Sequence, residues 1–223
     1  MFEIKKLHFK TTTSTQDEAL KQLPLPENTL LVVTADYQTD GRGRLKRKWV
    51  AEPGTSLLVT FAFKTKDPYS LTQLLAVTLA NLLEKKGFRP QIKWPNDLLI
   101  NGKKLGGILA ELKDDTILLG LGLNVNQEEI DINRPATSLR QESERNYSPT
   151  DLLNELLPQW TEALTTYNSQ SIAPFLSLYK RLLAHKPGES VTINNERLVF
   201  EKINNDGSLS ASGRRFYSGD ISY

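Results

Sequence analysis

The stretch Gly41-Arg42-Gly43-Arg44-Leu45-Lys46-Arg47-Lys48-Trp49 holds the densest chemistry in the chain. Its nine residues carry five cations, two glycines and no acid, and end on a tryptophan. Cations this close repel one another, so burying them without a counter-anion is unfavourable. Glycine lets the backbone take angles closed to other residues and lets a ligand approach the main chain. The pattern fits a mobile loop closing on an anion, with Trp49 able to stack on a flat ring. It fits equally a solvated basic hairpin tip that Trp49 pins to the core. Two phosphate-binding patterns are excluded. The P-loop run G-x-x-x-x-G-K-[ST] occurs nowhere, and Gly41-x-Gly43 lacks the third glycine of a dinucleotide loop, with Lys46 in its place.

Two further stretches offer polar or roomy surfaces. Thr11 to Glu18 closes a short strand, expected over 4–9, and opens a helix in which Thr15 and Glu18 have capping-box spacing. Hydroxyls and first-turn amides at Ser14 and Thr15 suit a polar ligand, although capping alone also explains them. Glycines 106, 107, 120 and 122 fall inside two neighbouring strand patterns. Glycine weakens a strand unless a bulge or an approaching ligand needs the space, which points to a pocket floor.

The elements that must position these residues follow from the pattern. Strands are expected over 30–35, 56–63 and 91–94, and a helix over 71–86 ending at Gly87. A hairpin turns at Asn101-Gly102, joining 98–100 to 103–112, and a further strand covers 116–125. Residues 134–149 read as loop. Helices follow over about 149–166, bent by Pro158, and 172–183. From Lys186 the pattern becomes short strands with turns at Asn194-Asn195, Asn205-Asp206-Gly207 and Ser212-Gly213.

A chain of 223 residues suits one sizeable domain with a small appendage, divided here as 1–185 and 186–223. The net charge of +2 makes any basic function local. With no cysteine, disulfides and thiolate metal sites are excluded; with only His8 and His185, a zinc site or histidine relay is disfavoured. The N-terminus lacks the apolar core of a secretory signal, and the best apolar run, 71–83, is too short to span a bilayer. A cytoplasmic protein is expected.

Four stretches together resemble the biotin protein ligases: Ser14-Thr15-Gln16, Gln38 through Gly41-Arg42-Gly43-Arg44 to Trp49, Lys93-Trp94-Pro95-Asn96-Asp97, and Lys104-Leu105-Gly106-Gly107-Ile108-Leu109 running on to Glu111. Gly120-Leu-Gly-Leu-Asn124 and Ala136-Thr-Ser-Leu139 continue in the family's order, and Phe216-Tyr-Ser-Gly-Asp-Ile-Ser222 looks like its small C-terminal domain. Two positions depart from the family pattern: Gln16 stands where asparagine is usual, and Lys46 where a third loop glycine is common.

The resemblance implies an α+β fold, a mixed and largely antiparallel sheet with helices similar to class II aminoacyl-tRNA synthetase cores, plus a C-terminal SH3-like barrel. It implies an ATP-dependent ligase that makes biotinyl-5′-AMP and transfers biotin to a lysine of a biotin carboxyl carrier protein domain, such as that of acetyl-CoA carboxylase. ATP, Mg²⁺ carried on its phosphates and biotin would be the small molecules. Ser14, Thr15, Gln16, Gln38, Gly41, Arg42, Gly43, Arg44, Lys104, Gly107 and Gly122 would bind biotin. Arg44, Trp49, Lys93, Asn96, Asp97 and Asn124 would bind ATP, with Trp49 on adenine. Arg44, Lys104 and Asp97 would be catalytic, and no residue is assigned to a metal. A carboxylate and a phosphate repel by about 4 kcal/mol per charge pair at 4 Å with an effective dielectric near 20, which the cations must offset.

Because the resemblance starts within the first residues, a ligase without the DNA-binding domain of some relatives is expected, as a monomer or homodimer that binds neither DNA nor membrane. The loop from Gly41 to about Lys48 is expected to be poorly ordered until a ligand supplies countercharge. Two rivals stand: a nucleic-acid-binding module using Arg42–Lys48 as a phosphate-contacting arm, and lipoate ligation on a similar fold.

Overall fold

Strand β1 (Glu3–Thr12), helix α1 (Thr15–Leu20) and strand β2 (Thr29–Gln38) form a parallel crossover at one edge of the main sheet. Every other pairing in that sheet is antiparallel. The structure, a computed structural model, describes residues 2–128, 135–219 and 221–222. After β3 (Ser56–Lys64), helix α2 (Leu71–Lys85) carries the chain to the far edge, where β4 (Pro90–Lys93) begins a meander. It continues through β5 (Asp97–Ile100), β6 (Lys103–Lys113) and β7 (Thr116–Asn124), giving the order β1-β2-β3-β7-β6-β5-β4.

Helices α3 (Leu139–Ser143), α4 (Pro149–Gln170) and α5 (Leu176–Leu182) follow. A five-stranded sheet ends the chain, made of β8 (Ser190–Ile193), β9 (Glu196–Ile203), β10 (Leu209–Ala211), β11 (Arg214–Phe216) and β12 (Ile221–Ser222). Its Val191, Phe200 and Leu209 join the same apolar core as the main sheet. The Trp94 indole donates to the Gly207 carbonyl across this junction, at 3.1 Å. Among the described residues no helix is long and apolar enough to cross a membrane.

The main sheet divides its side chains between two faces, as period-two alternation requires. Leu57, Val59, Phe61 and Phe63 of β3 and Leu119, Leu121 and Leu123 of β7 pack with α2 and α4. Helix α2 is buried almost all round, as expected of a helix lying between sheet and other helices. Helix α4 is capped by Ser148, with Pro149 in its first turn, and buries a stripe from Leu152 through Trp160 to Tyr167 at three- and four-residue spacing. The opposite face carries a smaller cluster of Leu31, Val33, Ala62 and Leu118 under α1.

Some local expectations change. Helix α1 is capped by Ser14, not Thr15, and Glu18 instead accepts from the Thr12 hydroxyl at 2.7 Å. The segment read as loop contains α3, with a complete capping box of Ser138 and Gln141; its first residue, 134, lies outside the described residues. Helix α4 runs through Pro158 to Gln170. The helix expected over 172–183 divides into a 3₁₀ turn, Ala173–Phe175, and α5.

Candidate functional site

The floor of the site is made where β5, β6 and β7 lie side by side. Opposite Leu98 and Leu99, β6 carries one extra residue, since Leu98 pairs with Gly106 but Leu99 with Lys104. This β-bulge changes which way successive side chains point. Leu105 and Ile108, three apart, therefore both enter the helix-side core, while Lys104 and Gly107, also three apart, meet on the site face. Lys104 Nζ donates to Asp97 Oδ1 at 2.8 Å, and a methyl at Gly107 would sit 3.2 Å from that Nζ. The lysine is thus aimed by a carboxylate on the adjacent strand.

Three of the four strand glycines, Gly107, Gly120 and Gly122, line the pocket. Gly106 does not: a Cβ there would lie 2.8 Å from the Gly122 carbonyl, so that glycine serves the close approach of β6 to β7 at the bulge.

One wall is the start of α1 with the end of β2. The Ser14 hydroxyl accepts from the amides of Gln16 and Asp17. Gln38 Oε1 accepts from the Thr15 amide at 2.7 Å and its hydroxyl at 3.0 Å, and that hydroxyl also lies 2.8 Å from Thr60 Oγ1 on β3. The buried Gln16 side chain lies over Gly120, where a Cβ would come 3.0 Å from its Oε1; its Nε2 reaches the Leu109 carbonyl at 3.5 Å. The longer glutamine therefore fits because residue 120 has no side chain.

The basic loop crosses above this floor as a tight hairpin. The Gly43 amide donates to the Arg47 carbonyl at 2.7 Å and the Trp49 amide to the Gly41 carbonyl at 2.8 Å. Leu45 takes a left-handed conformation (φ 56°) at the tip, which is strained for a residue with a branched side chain. The countercharge that the sequence assigned to a ligand comes partly from the chain itself: Arg42 Nη1 lies 2.7 Å from Asp17 Oδ1, and Nη2 3.9 Å from Glu111. Arg44 Nη1 donates to Asn96 Oδ1 at 3.0 Å and to the Gly219 carbonyl at 2.8 Å.

Trp49 lies flat to the floor. A Cβ on Gly122 would fall 2.4 Å from its Cε2, and Lys104 Nζ is 5.9 Å from the ring centroid, within cation–π range. With the indole there, about 40 Å³ of cavity remains, room for only a few water molecules. Its Nε1 is buried with no hydrogen-bond partner among the described residues. The residue expected on adenine thus covers the glycine expected to leave room for biotin's ring.

The remaining candidates lie around this centre. Asn96 Nδ2 donates to the Ile108 carbonyl, which turns its Oδ1 toward Arg44. Asn124 is buried and donates to the Thr137 carbonyl beside Lys104, whose own amide and carbonyl bond Pro135 and Thr137. Lys93 pairs with Asp97 in register across β4 and β5 and also faces His185. Burial, with Lys93 nearby, pulls that histidine down to about 4. Sequence reasoning missed Asp17, Thr60 and Gly219 as site residues. The sequence marks Asp17 only as part of a helix start, and nothing in it brings Gly219 beside Arg44.

The sequence model of the biotin/lipoate A/B protein ligase family matches residues 8–127. The chain is 34% identical over 169 residues to the bifunctional ligase/repressor BirA of Bacillus spizizenii, covering 70% of this chain and 51% of that protein. It is 33% identical over 174 residues to a biotin–[acetyl-CoA-carboxylase] ligase of Mycobacterium tuberculosis, covering 71% and 65%. The chain therefore spans between half and two thirds of these relatives. The biotin protein ligase of Aquifex aeolicus, solved with biotin and ATP, superposes with a TM-score of 0.85 at 28% identity, covering 97% of each chain.

Proposed function

The chain belongs to the biotin/lipoate A/B protein ligase family, and on that premise we propose that it activates biotin with ATP as biotinyl-5′-AMP and transfers it to a lysine of a biotin carboxyl carrier domain. The observation that carries this reading is a pocket lined by Arg42 and by the amide- and hydroxyl-rich wall of Ser14, Thr15, Gln16 and Gln38, with Lys104 held by Asp97 beside its floor glycine Gly107. That wall suits a ureido group, which both donates and accepts hydrogen bonds. Lys104 and Arg44 are the groups that offset charge as biotin's carboxylate meets the α-phosphate. Asp97 holds Lys104 in place and stands close to where an acceptor amine would lose its proton.

Mg²⁺ enters with ATP, as the counterion of its phosphates. Among the described residues, no group of three or more histidine, cysteine or acidic side chains gathers to hold a metal ion. Biotin's bicyclic ring needs the space over Gly122, so the Trp49 indole must swing off the floor before the ring enters. Once displaced, it is available to adenine. This predicts a change in tryptophan emission on adding biotin alone.

A nucleic-acid-binding arm needs neither the glycine floor of the pocket nor the Asp97-held Lys104, so those features favour the ligase reading. Lipoate ligation remains the nearer rival, and a dithiolane offers that polar wall no hydrogen-bond partner. The test is ATP–pyrophosphate exchange with biotin, lipoate or octanoate, followed by transfer to a carrier domain. Exchange with lipoate or octanoate but not with biotin refutes the reading.

A further inference from the structure

The C-terminal segment reaches the basic loop through the Gly219 carbonyl, and the surrounding contacts show how that carbonyl is held. A methyl at Gly219 would meet Ile193 Cγ2 at 2.9 Å and Trp94 Cζ3 at 3.4 Å. The segment therefore lies pressed onto β8 and onto the tryptophan next to the Pro95-Asn96-Asp97 turn. Beyond it, Ile221 pairs with Ile193 and Ser222 with Thr192, which anchors the tail to the second sheet. Trp94 in turn is tied to that sheet through Gly207. The carbonyl is thus a fixed acceptor.

We propose that Gly219 is a positioning residue for Arg44: its carbonyl, together with Asn96 Oδ1, holds the guanidinium at the mouth of the site and so couples the seating of the C-terminal sheet to closure of the basic loop. Both bonds fall on the same nitrogen, Nη1, at 2.8 and 3.0 Å, so two acceptors from different parts of the fold help orient the planar group. Asn96 cannot rotate away without giving up its own bond to the Ile108 carbonyl. Hydrogen bonds to a charged donor are among the stronger polar contacts in a protein, so loss of one acceptor is felt by the group it aims. The consequence for retention of an adenylate rests on the biotin reading; the coupling itself does not.

The experiment uses the full chain with Gly219→Ala, whose methyl pushes the tail off Ile193 and Trp94 without touching a group assigned to binding. Biotinyl-AMP released to bulk solvent is measured by mass spectrometry after filtration, and amide hydrogen exchange is followed at Gly43 and Trp49. The expected result is about tenfold more adenylate escape, as for loss of one hydrogen bond to a charged group, with faster exchange at both loop amides. In an Arg44→Ala background the same substitution adds nothing to the escape, because both act through one contact. Should Gly219→Ala fail to fold, coupling is read in reverse, since it is reciprocal: Arg44→Ala speeds exchange of the Ile221 and Ser222 amides. Unchanged exchange in both directions overturns the proposal, as does escape that adds independently of Arg44. Faster exchange in a chain that forms no biotinyl-AMP upholds the coupling and refutes the biotin reading instead.

Discussion

On its helix-covered face the main sheet presents Phe61 and Phe63 to Trp160, at ring separations of 5.8 and 6.3 Å, within a continuous aliphatic core. On the other face the same strand turns Leu58 and Thr60 toward Thr15 and the pocket, beside a floor of glycines. One strand, alternating by single residues, therefore serves stability on one side and chemistry on the other. The difference teaches that bulk is needed where the sheet meets helices and must be missing where it meets a ligand. Substitutions can separate the two.

The largest separation is expected from Trp160→Ala. Removing a fully buried indole should cost about 3–5 kcal/mol, read as a lowered urea midpoint, with turnover per folded molecule unchanged. Loss of turnover in the folded fraction would break the division between faces. Lys104→Ala is the mirror experiment. Pyrophosphate exchange should fall by roughly 10²–10³, as when an oriented charge-stabilising group is lost, while the urea midpoint moves by less than about 1 kcal/mol. Unchanged exchange would return Lys104 to an ordinary hairpin residue.

A third probe lies where the helix-covered core meets the second sheet. His185 is buried beside Phe200, 6.0 Å between rings, and its pKa is held down to about 4 against an ordinary value near 6.5. The unfolded chain takes up a proton that the folded one refuses, so stability falls as pH drops from about 6.5 toward 4 and levels below that. The full loss is about 3 kcal/mol. His185→Gln should flatten this part of the profile; an unchanged slope would mean that other groups set it.

The smallest effect is expected at Gly120→Ala. The added methyl meets the Gln16 side chain, 3.0 Å from its Oε1, and that flexible chain can yield by moving toward the pocket. Biotin affinity should weaken by about 1 kcal/mol, roughly fivefold in titration calorimetry, with little change in stability. A variant that binds biotin normally would show that Gln16 has room to spare.

The chemistry-bearing stretches were legible because each is local. Lys93 through Asp97, Lys104 through Glu111 and the Gly41–Trp49 loop could each be read from residue type and spacing, and the hairpin at Asn101-Gly102 from its turn chemistry. The bulge at Leu105 was not legible. The interval from Lys104 to Gly107 would put an odd-spaced pair on opposite faces of a regular strand, and only the shifted pairing with β5 brings them together. Helix α3 is hidden for a similar reason: its few residues carry little periodic signal, and its capping box reads as loop polarity.

By itself, the order of residues determined which side chains could do chemistry, where strands alternate, and that the cations of the loop need countercharge. Those properties depend on neighbours a few positions apart. Tertiary structure decided which partners answer them. Arg42 finds Asp17 and Glu111, Arg44 finds Asn96 and the Gly219 carbonyl, and Trp49 finds the bare surface of Gly122. Each of those contacts joins residues more than 20 positions apart. Their distances depend on sheet register, the bulge and the seating of the second sheet, none of which a local pattern encodes.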